Sequence, residues 1–432
     1  MNFYSTNDAS HQVGLAEAVL RGLPADNGLY MPETLEALPS SFWRGAKDMP
    51  FPELALAMTR QLIKGSVPDP ELREIVERAC VFDAPLVQVG DRYVLELFHG
   101  PTLAFKDFGA CFMAQLMGWL IRGNDQKLRI LVATSGDTGG AVAAGFFGVP
   151  GIEVTILYPE GKVSPLQERQ LTTWGGNIRA IAINGVFDDC QALVKQAFLD
   201  EQLRTSLQLS SANSINIARL IPQSWYYARA WQQLPEHSAA PVFCVPSGNF
   251  GNITGGVFAQ RLGLPVHRFL AATNTNDVVP EFLRTGSYRA RPSVATLSNA
   301  MDVGNPSNVA RLHNLLGPSA DAWDRILTGD SVSDDDTLAT MQLVWKQHDY
   351  CLDPHGAVGW HSMDQHRDLW DGYAGILLET AHPAKFAEVV EQALKQPAPT
   401  AESLESLKGL EVHKINMDPD FETFKAFLLD NR

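Results

Sequence analysis

A chain of 432 residues exceeds the roughly 250–300 that a single hydrophobic core usually serves, so two or three packed domains with a cleft between them are expected. A hydrophobic fraction of 45% with 19% charged residues and 34 glycines describes a folded globular protein and excludes a disordered or fibrous one. The formal net charge of -15, with no basic stripe along the chain, argues against a nucleic-acid binder.

Residues 1–80 read as a mainly helical region, with apolar spacing from Leu15 to Leu20 and again from Leu54 to Ile63, punctuated by Pro24, Pro32, Pro39, Pro50, Pro52, Pro68 and Pro70. Asp8, His11 and Glu17 stand where a signal peptide would need a basic start and an apolar run, and the weakly polar stretch from Gly139 to Ile152 is too short to span a bilayer. Cys80, Cys111, Cys190, Cys244 and Cys351 are odd in number and form no Cys-x-x-Cys pair, which predicts neither disulfides nor a zinc knuckle. A reducing, cytoplasmic setting away from membranes is expected.

From Pro85 the pattern changes to short β-rich runs at Tyr93–Leu97, Arg129–Thr134, Val154–Tyr158, Ile178–Ile183 and Val242–Pro246. Helical stretches are predicted over 107–122, 139–148, 164–174, 186–203, 215–234 and 252–262. This alternation is that of parallel sheets wrapped by helices, so the fold class is α/β. The expected division is a mainly helical region over 1–80, a large domain over 81–106 and 186–432, and a small domain over 107–185. Residues 396–409 read as an exposed loop.

One feature occurs twice. Thr134-Ser-Gly-Asp-Thr-Gly-Gly140 and Pro246-Ser-Gly-Asn-Phe-Gly-Asn252 each follow an apolar strand and open a helix. In a parallel sheet, ligands gather beyond the carboxyl ends of the strands, where helix amino ends offer free N–H groups and a positive dipole, so two anion cradles are expected. Ser247, Gly248, Asn249, Phe250, Gly251 and Asn252 would hold a phosphate without a nearby lysine; the competing reading is a tight strand-to-helix turn with no ligand. Lys106 follows the turn His99-Gly-Pro-Thr102 and sits among Leu103, Phe105 and Phe108. Partial desolvation there favours the neutral amine that attacks an aldehyde, against the plain alternative of a surface lysine paired with Asp107. His99, His355, His361 and His382 show no metal-binding spacing, so no metal is expected.

Six stretches in order, His99-Gly-Pro-Thr-Leu-Ala-Phe-Lys-Asp107, Thr134-Ser-Gly-Asp-Thr-Gly139, Asn213-Ser-Ile-Asn-Ile-Ala-Arg219, Ser247-Gly-Asn-Phe-Gly-Asn252, Ser298–Asn308 and Thr380-Ala-His-Pro-Ala-Lys385, resemble the motif set of threonine synthases. Asn27-Gly-Leu-Tyr-Met-Pro32 is also similar to that family, so the resemblance runs from about residue 2 to the carboxyl end. It implies a fold-type II pyridoxal-phosphate enzyme, a lyase of threonine biosynthesis that converts O-phospho-L-homoserine and water to L-threonine and phosphate. It implies that Lys106 carries pyridoxal 5'-phosphate as a Schiff base, that residues 247–252 hold the cofactor phosphate, and that Thr380 faces the pyridine nitrogen, where a hydroxyl makes the ring a milder electron sink than a carboxylate would.

On the same resemblance, Thr102, Ser135 and Thr138 meet the substrate, and the 135–139 loop also meets the cofactor's phenolic oxygen. Asp137 is uncomfortable there, because its charge repels both a carboxylate and a phenolate; capping the following helix is its alternative role. Lys162, Ser214, Asn216 and Arg219 are the candidates for the substrate phosphate, the alternatives being a solvated loop lysine for Lys162 and a structural ion pair for Arg219. Asn305 and Asn308 are expected near the site. The implied mechanism frees the Lys106 amine to act as general base at Cα and Cβ, eliminates phosphate from Cγ and adds water at Cβ, with the released phosphate helping to activate the water and the small domain closing over the substrate.

Three rival readings remain: a phospholyase that releases an oxo acid, a dinucleotide-binding α/β protein, and a cofactor-binding protein without catalysis. The second requires Gly-x-Gly-x-x-Gly after the first strand, a form that neither loop has. A monomer or homodimer is expected.

Overall fold

A computed structural model of the chain describes residues 1–430. At the amino end, β1 (Asn2–Ser5), β2 (Gln12–Gly14) and β3 (Tyr30–Pro32) form an antiparallel sheet in the order β2-β1-β3. The helices Leu15–Arg21, Ser40–Gly45, Phe51–Ile63 and Asp69–Ala79, with a short 3-10 turn over Ala46–Asp48, complete the region. It is helical as expected but also carries this sheet, whose strands of three or four residues are too short to display a period of two.

The next strands are β4 (Leu86–Val89), β5 (Arg92–Glu96), β6 (Leu128–Ala133), β7 (Ile152–Pro159), β8 (Ile178–Ile183), β9 (Gln208–Ser211), β10 (Val242–Pro246), β11 (Arg268–Thr273), β12 (Leu327–Ser331), β13 (Gly375–Glu379) and β14 (Lys414–Met417). They make two further sheets. One has six strands in the order β12-β11-β10-β13-β5-β4, all pairs parallel except β4 with β5. The other has five strands, β14-β8-β7-β6-β9, all parallel. Every residue of β6, β10 and β13 is buried, because helices cover both faces of these sheets and the strands therefore read as continuous apolar runs.

Strand pairing corrects the expected division of the chain. Not all of 186–432 belongs with the six-stranded sheet: β9 pairs with β6, and β14 returns from near the carboxyl end to pair with β8. The helices Phe187–Leu199 and Phe421–Asp430 bury Cys190, Leu193, Phe424 and Leu428 with Leu131, Leu157 and Ile181, so this late segment covers a face of the second sheet. Residues 396–409 are largely exposed, as expected, but contain a short helix, Glu402–Glu405, that buries Leu404. No helix among the described residues is long and apolar enough to cross a membrane.

The sheet order sets the working edge of the molecule. Strands β10, β13 and β5 are parallel neighbours, so the loop after β10, the segment after β13 and the turn after β5 leave the same edge side by side. Neighbouring strands lie about 4.8 Å apart, which puts the outer two exits about 10 Å from each other.

Candidate active site

The turn after β5 delivers Lys106 as the first residue of the helix Lys106–Leu120. It is closed by Asp107, whose carboxylate accepts from Thr102 N at 2.9 Å and from Thr102 Oγ1 at 2.5 Å. Gly100 is required here, since a Cβ on it would lie 2.5 Å from Asp107 Oδ2. Asp107 is fully buried, and that burial pushes its carboxyl up against the lowering effect of Thr102. The turn is stitched to the exit of β13: Phe105 N donates to Thr380 O at 2.9 Å, His382 N donates to Leu103 O at 3.0 Å, and Ala104 bridges Ala381. Thr380 therefore stands beside Lys106 and between it and the loop after β10.

The Lys106 side chain is 17% exposed, with its ammonium 5.0 Å from the centre of the Phe105 ring. Burial, aided by the positive charges of Lys385 and Arg219, pushes Lys106 below the ordinary lysine value, against the opposing pull of Asp137. An amine so placed is readily neutral, the state that attacks a carbonyl carbon.

Asp137 opens the helix Asp137–Phe146 after β6 but does not cap it. The cap position is Gly136, at φ 141°, and a Cβ there would lie 2.7 Å from the Gln167 side chain. The Asp137 carboxylate instead joins side chains from three other segments. Oδ2 lies 3.6 Å from Lys106 Nζ, while Oδ1 lies 2.8 Å from Lys385 Nζ and accepts from Gln167 Nε2 at 3.0 Å. Burial alone would raise this carboxyl, but Lys385, Lys106 and Gln167 together hold it well below the usual carboxylate range. In the same loop Ser135 is exposed and Thr138 half-buried, both facing outward more than their neighbours.

The loop after β10 is built from neutral groups. Ser247 donates from N to Ala272 O and from Oγ to Val245 O, each at 2.8 Å. Gly248 passes so close to the 298–308 segment that a Cβ would lie 2.7 Å from Met301 Cα. Phe250 is left-handed at φ 57°, a strained conformation for a residue with a side chain, and it turns the chain into the helix Gly251–Arg261. The first turn of that helix leaves N–H groups without intrahelical acceptors, which is what an anion requires.

A brace of amides holds the loop in this shape. Asn249 Nδ2 donates to Ser214 Oγ at 2.5 Å, its Oδ1 accepts from Ser307 N at 2.6 Å, and its carbonyl accepts from Asn308 Nδ2 at 3.1 Å. Asn252 Oδ1 accepts from the hydroxyls of Tyr226 and Tyr227 at 2.7 and 2.8 Å. The Asn308 Oδ1 accepts from Arg311 Nη1 at 2.7 Å, and Arg311 also donates to Tyr30 O and Ile215 O. Asn308 thus acquires the physical role that the sequence did not supply, and Arg311 is a contributor that an ordinary helical arginine gives no reason to suspect. Asn305 is more peripheral, its Oδ1 accepting from the Tyr288 hydroxyl at 3.1 Å.

Among the phosphate candidates, Asn216 is corrected. Its Oδ1 caps the helix Ile217–Leu220 by accepting from Ala218 N at 3.0 Å, and its Nδ2 donates to Val19 O and Ser211 O. It is fully buried with both polar atoms engaged, so it shapes the chain and does not face a ligand. The Thr102 hydroxyl is likewise committed to Asp107. Arg219 is different: it is buried, no carboxylate pairs with it in a salt bridge, Nη1 donates to Ala212 O at 2.6 Å, and Nε has no partner among the described residues. Burial lowers its pKa to about 10, and it packs on Gly109, where a Cβ would lie 2.7 Å from Nε. Lys162 stands exposed on the loop after β7.

Residues 86–378 match the family profile of pyridoxal-phosphate dependent enzymes, 2–80 that of the threonine synthase N terminus, and 356–428 that of the threonine synthase C-terminal region. A threonine synthase of Haemophilus influenzae is 46% identical over 435 aligned residues, covering 99% of this chain and 100% of the relative.

The chain belongs to the threonine synthase family. The crystal structure of the Escherichia coli threonine synthase superposes with a TM-score of 0.92 at 43% identity and covers 100% of both chains. That of a pyridoxal-phosphate-bound threonine synthase from Brucella melitensis superposes at 0.93 with 34% identity, covering 99% of this chain and 98% of the other. Threonine synthases are lyases that depend on pyridoxal phosphate, and the residues of this chain fit that cofactor. The glycine-walled loop after β10 is kept open by close packing, the buried Asn252 Nδ2 beside it has no partner among the described residues, and a lysine with lowered proton affinity waits two strands away.

Proposed function

We propose that this chain converts O-phospho-L-homoserine and water to L-threonine and phosphate, with Lys106 as the residue that carries pyridoxal phosphate. The observation that carries the reading is the side-by-side exit of three segments from one sheet edge: the neutral donor loop Ser247–Asn252, then Thr380, then Lys106. Bound at that edge, pyridoxal phosphate supplies an electron sink for charge developing at the substrate's Cα and Cβ. The main-chain N–H groups of Gly248 to Asn252 are the proposed hold on its phosphate, and the Thr380 hydroxyl the proposed partner of its ring nitrogen.

Lys106 then has three duties as an amine: it takes the proton from Cα and yields it to the departing phosphate, takes another from Cβ and returns it to Cγ, and hands to Cα the proton released when water adds its hydroxyl at Cβ. Its lowered proton affinity supports this, since a base that also delivers protons works best near the ambient pH. Ser135 and Thr138, at the open end of β6, are proposed to meet the substrate carboxylate. Arg219 and Ser214 are proposed for the substrate phosphate, with Lys162 reaching in when the cleft closes; the unpartnered Nε of Arg219 supports its share. Asn216 and Thr102 are left out of this set because their polar atoms are already engaged.

The reading includes a cytoplasmic setting, to which five unpaired cysteines are suited, and a monomer or homodimer, since one chain supplies every group named. The test is product analysis: purified protein given O-phospho-L-homoserine should release L-threonine and phosphate in equal amounts. Phosphate accompanied by an oxo acid in place of threonine would overturn it. Lys106→Ala should lower turnover by at least about a thousandfold.

A further inference from the structure

Among the described residues, Lys385 is the one ion-paired lysine whose side chain has no exposure at all, and it sits at the crossing of three segments. It lies in the turn Pro383–Phe386, five residues beyond Thr380. Its Nζ donates to Thr102 O at 2.7 Å, in the turn that leads to Lys106, and pairs with Asp137 Oδ1 at 2.8 Å, at the start of the helix after β6. Asp137 is thereby shared between two amines, tightly with Lys385 and more loosely, at 3.6 Å, with Lys106.

The other charged groups around Lys106 are accounted for. Asp107, next to it on its own helix, is held by Thr102 N and Oγ1. Arg219, from the helix packed on Gly109, is tied to Ala212 O and adds positive charge. His382, on the Lys385 turn, accepts from Ala384 N. Asp137 is therefore the carboxylate within ion-pair distance of Lys106, and Lys385 is its principal counter-ion.

A lone carboxylate beside Lys106 would hold that nitrogen as a cation and suppress both its attack on an aldehyde and its capture of a substrate proton. We propose that Lys385 is a positioning residue for the reaction: by engaging Asp137 as its own ion-pair partner, it keeps the carboxylate from fixing the proton on Lys106. The pair Asp137–Lys385 then presents a nearly neutral unit to the cofactor and substrate, which also removes the repulsion that an isolated Asp137 would exert on a phenolate or a carboxylate. The proposal rests on Lys106 being the lysine that carries pyridoxal phosphate.

The test uses the full-length holoenzyme and follows its visible absorption as a function of pH, which reports the proton on the lysine nitrogen bound to the cofactor. Lys385→Met should move the midpoint of that titration up by about one pH unit or more, a tenfold change in proton affinity. Lys385→Met combined with Asp137→Asn should bring it back to within about 0.3 units of the parent, because the two charges leave together. Asp137→Asn alone, which keeps Lys385, should move it down. A purely structural lysine predicts no such reversal, so a double variant as displaced as Lys385→Met would overturn the proposal. If Lys385→Met does not accumulate as folded protein, Asp137→Asn and the double variant decide: equal midpoints in those two would overturn it as well. Attachment of the cofactor to a lysine other than Lys106 would instead defeat the reading on which the proposal rests.

Discussion

The loops after β6 and β10 begin alike and end differently. Each leaves a buried parallel strand, turns on glycine and opens a helix, yet the first places a carboxylate, Asp137, at the helix start while the second places none. Asp137 is balanced by Lys385 and Lys106, so the first loop is a site of fixed, compensated charges. The second is held by Asn249, Asn252 and Asn308 through neutral hydrogen bonds, and the buried cation Arg311 reaches it through Asn308. On the proposed function the same backbone device would serve two purposes: fixed charges would tune a proton, and neutral donors would grip an anion that stays in place.

Breaking the second loop should have the larger effect. In Gly248→Val the added carbons meet backbone at Met301 and Ala300, which cannot swing aside as a side chain would. Affinity for pyridoxal phosphate should fall by about a hundredfold, equivalent to about 3 kcal/mol, as measured by equilibrium titration of the cofactor into the stripped protein. The Asp137–Lys385 variants of the first loop should leave the cofactor bound and shift its titration, so the two loops separate into affinity and proton control.

A subtler probe is Arg311→Met. Arg311 is fully buried without a carboxylate partner among the described residues, and burial lowers its pKa to about 9; its value lies in the carbonyls of Tyr30 and Ile215 and in the Asn308 amide that it satisfies. Removing it leaves those acceptors unpaired but also relieves a buried charge, so a net loss of about 2 kcal/mol in denaturant unfolding is expected, with a smaller weakening of cofactor binding through Asn308.

Much of this was readable from sequence where the physics is local. The runs that became β6, β7, β8 and β10 stand out because strands buried on both faces are continuously apolar. The strand Gln208–Ser211 does not, being polar and short, and neither does the edge strand Lys414–Met417, so the return of the carboxyl end to the second sheet was hidden. The proposal for Lys106 draws on its turn and motif, which are local features of the sequence. Lys385 lay within a recognised stretch, but its role depends on Asp137, a partner 248 positions away in the chain, and on complete burial, neither of which leaves a local trace. Asn216 is ambiguous in sequence for a related reason: a cap asparagine and a ligand asparagine look the same until the acceptors Val19 O and Ser211 O are seen beside it.

Two lysines flank Asp137, and the proposed function places the cofactor on only one of them. Borohydride reduction of the purified holoenzyme, followed by proteolysis and mass spectrometry, locates the lysine that carries pyridoxal phosphate. The modification is expected on Lys106 with Lys385 unmodified; the cofactor found on Lys385, or on any lysine away from this edge of the sheet, would contradict the proposed role of Lys106.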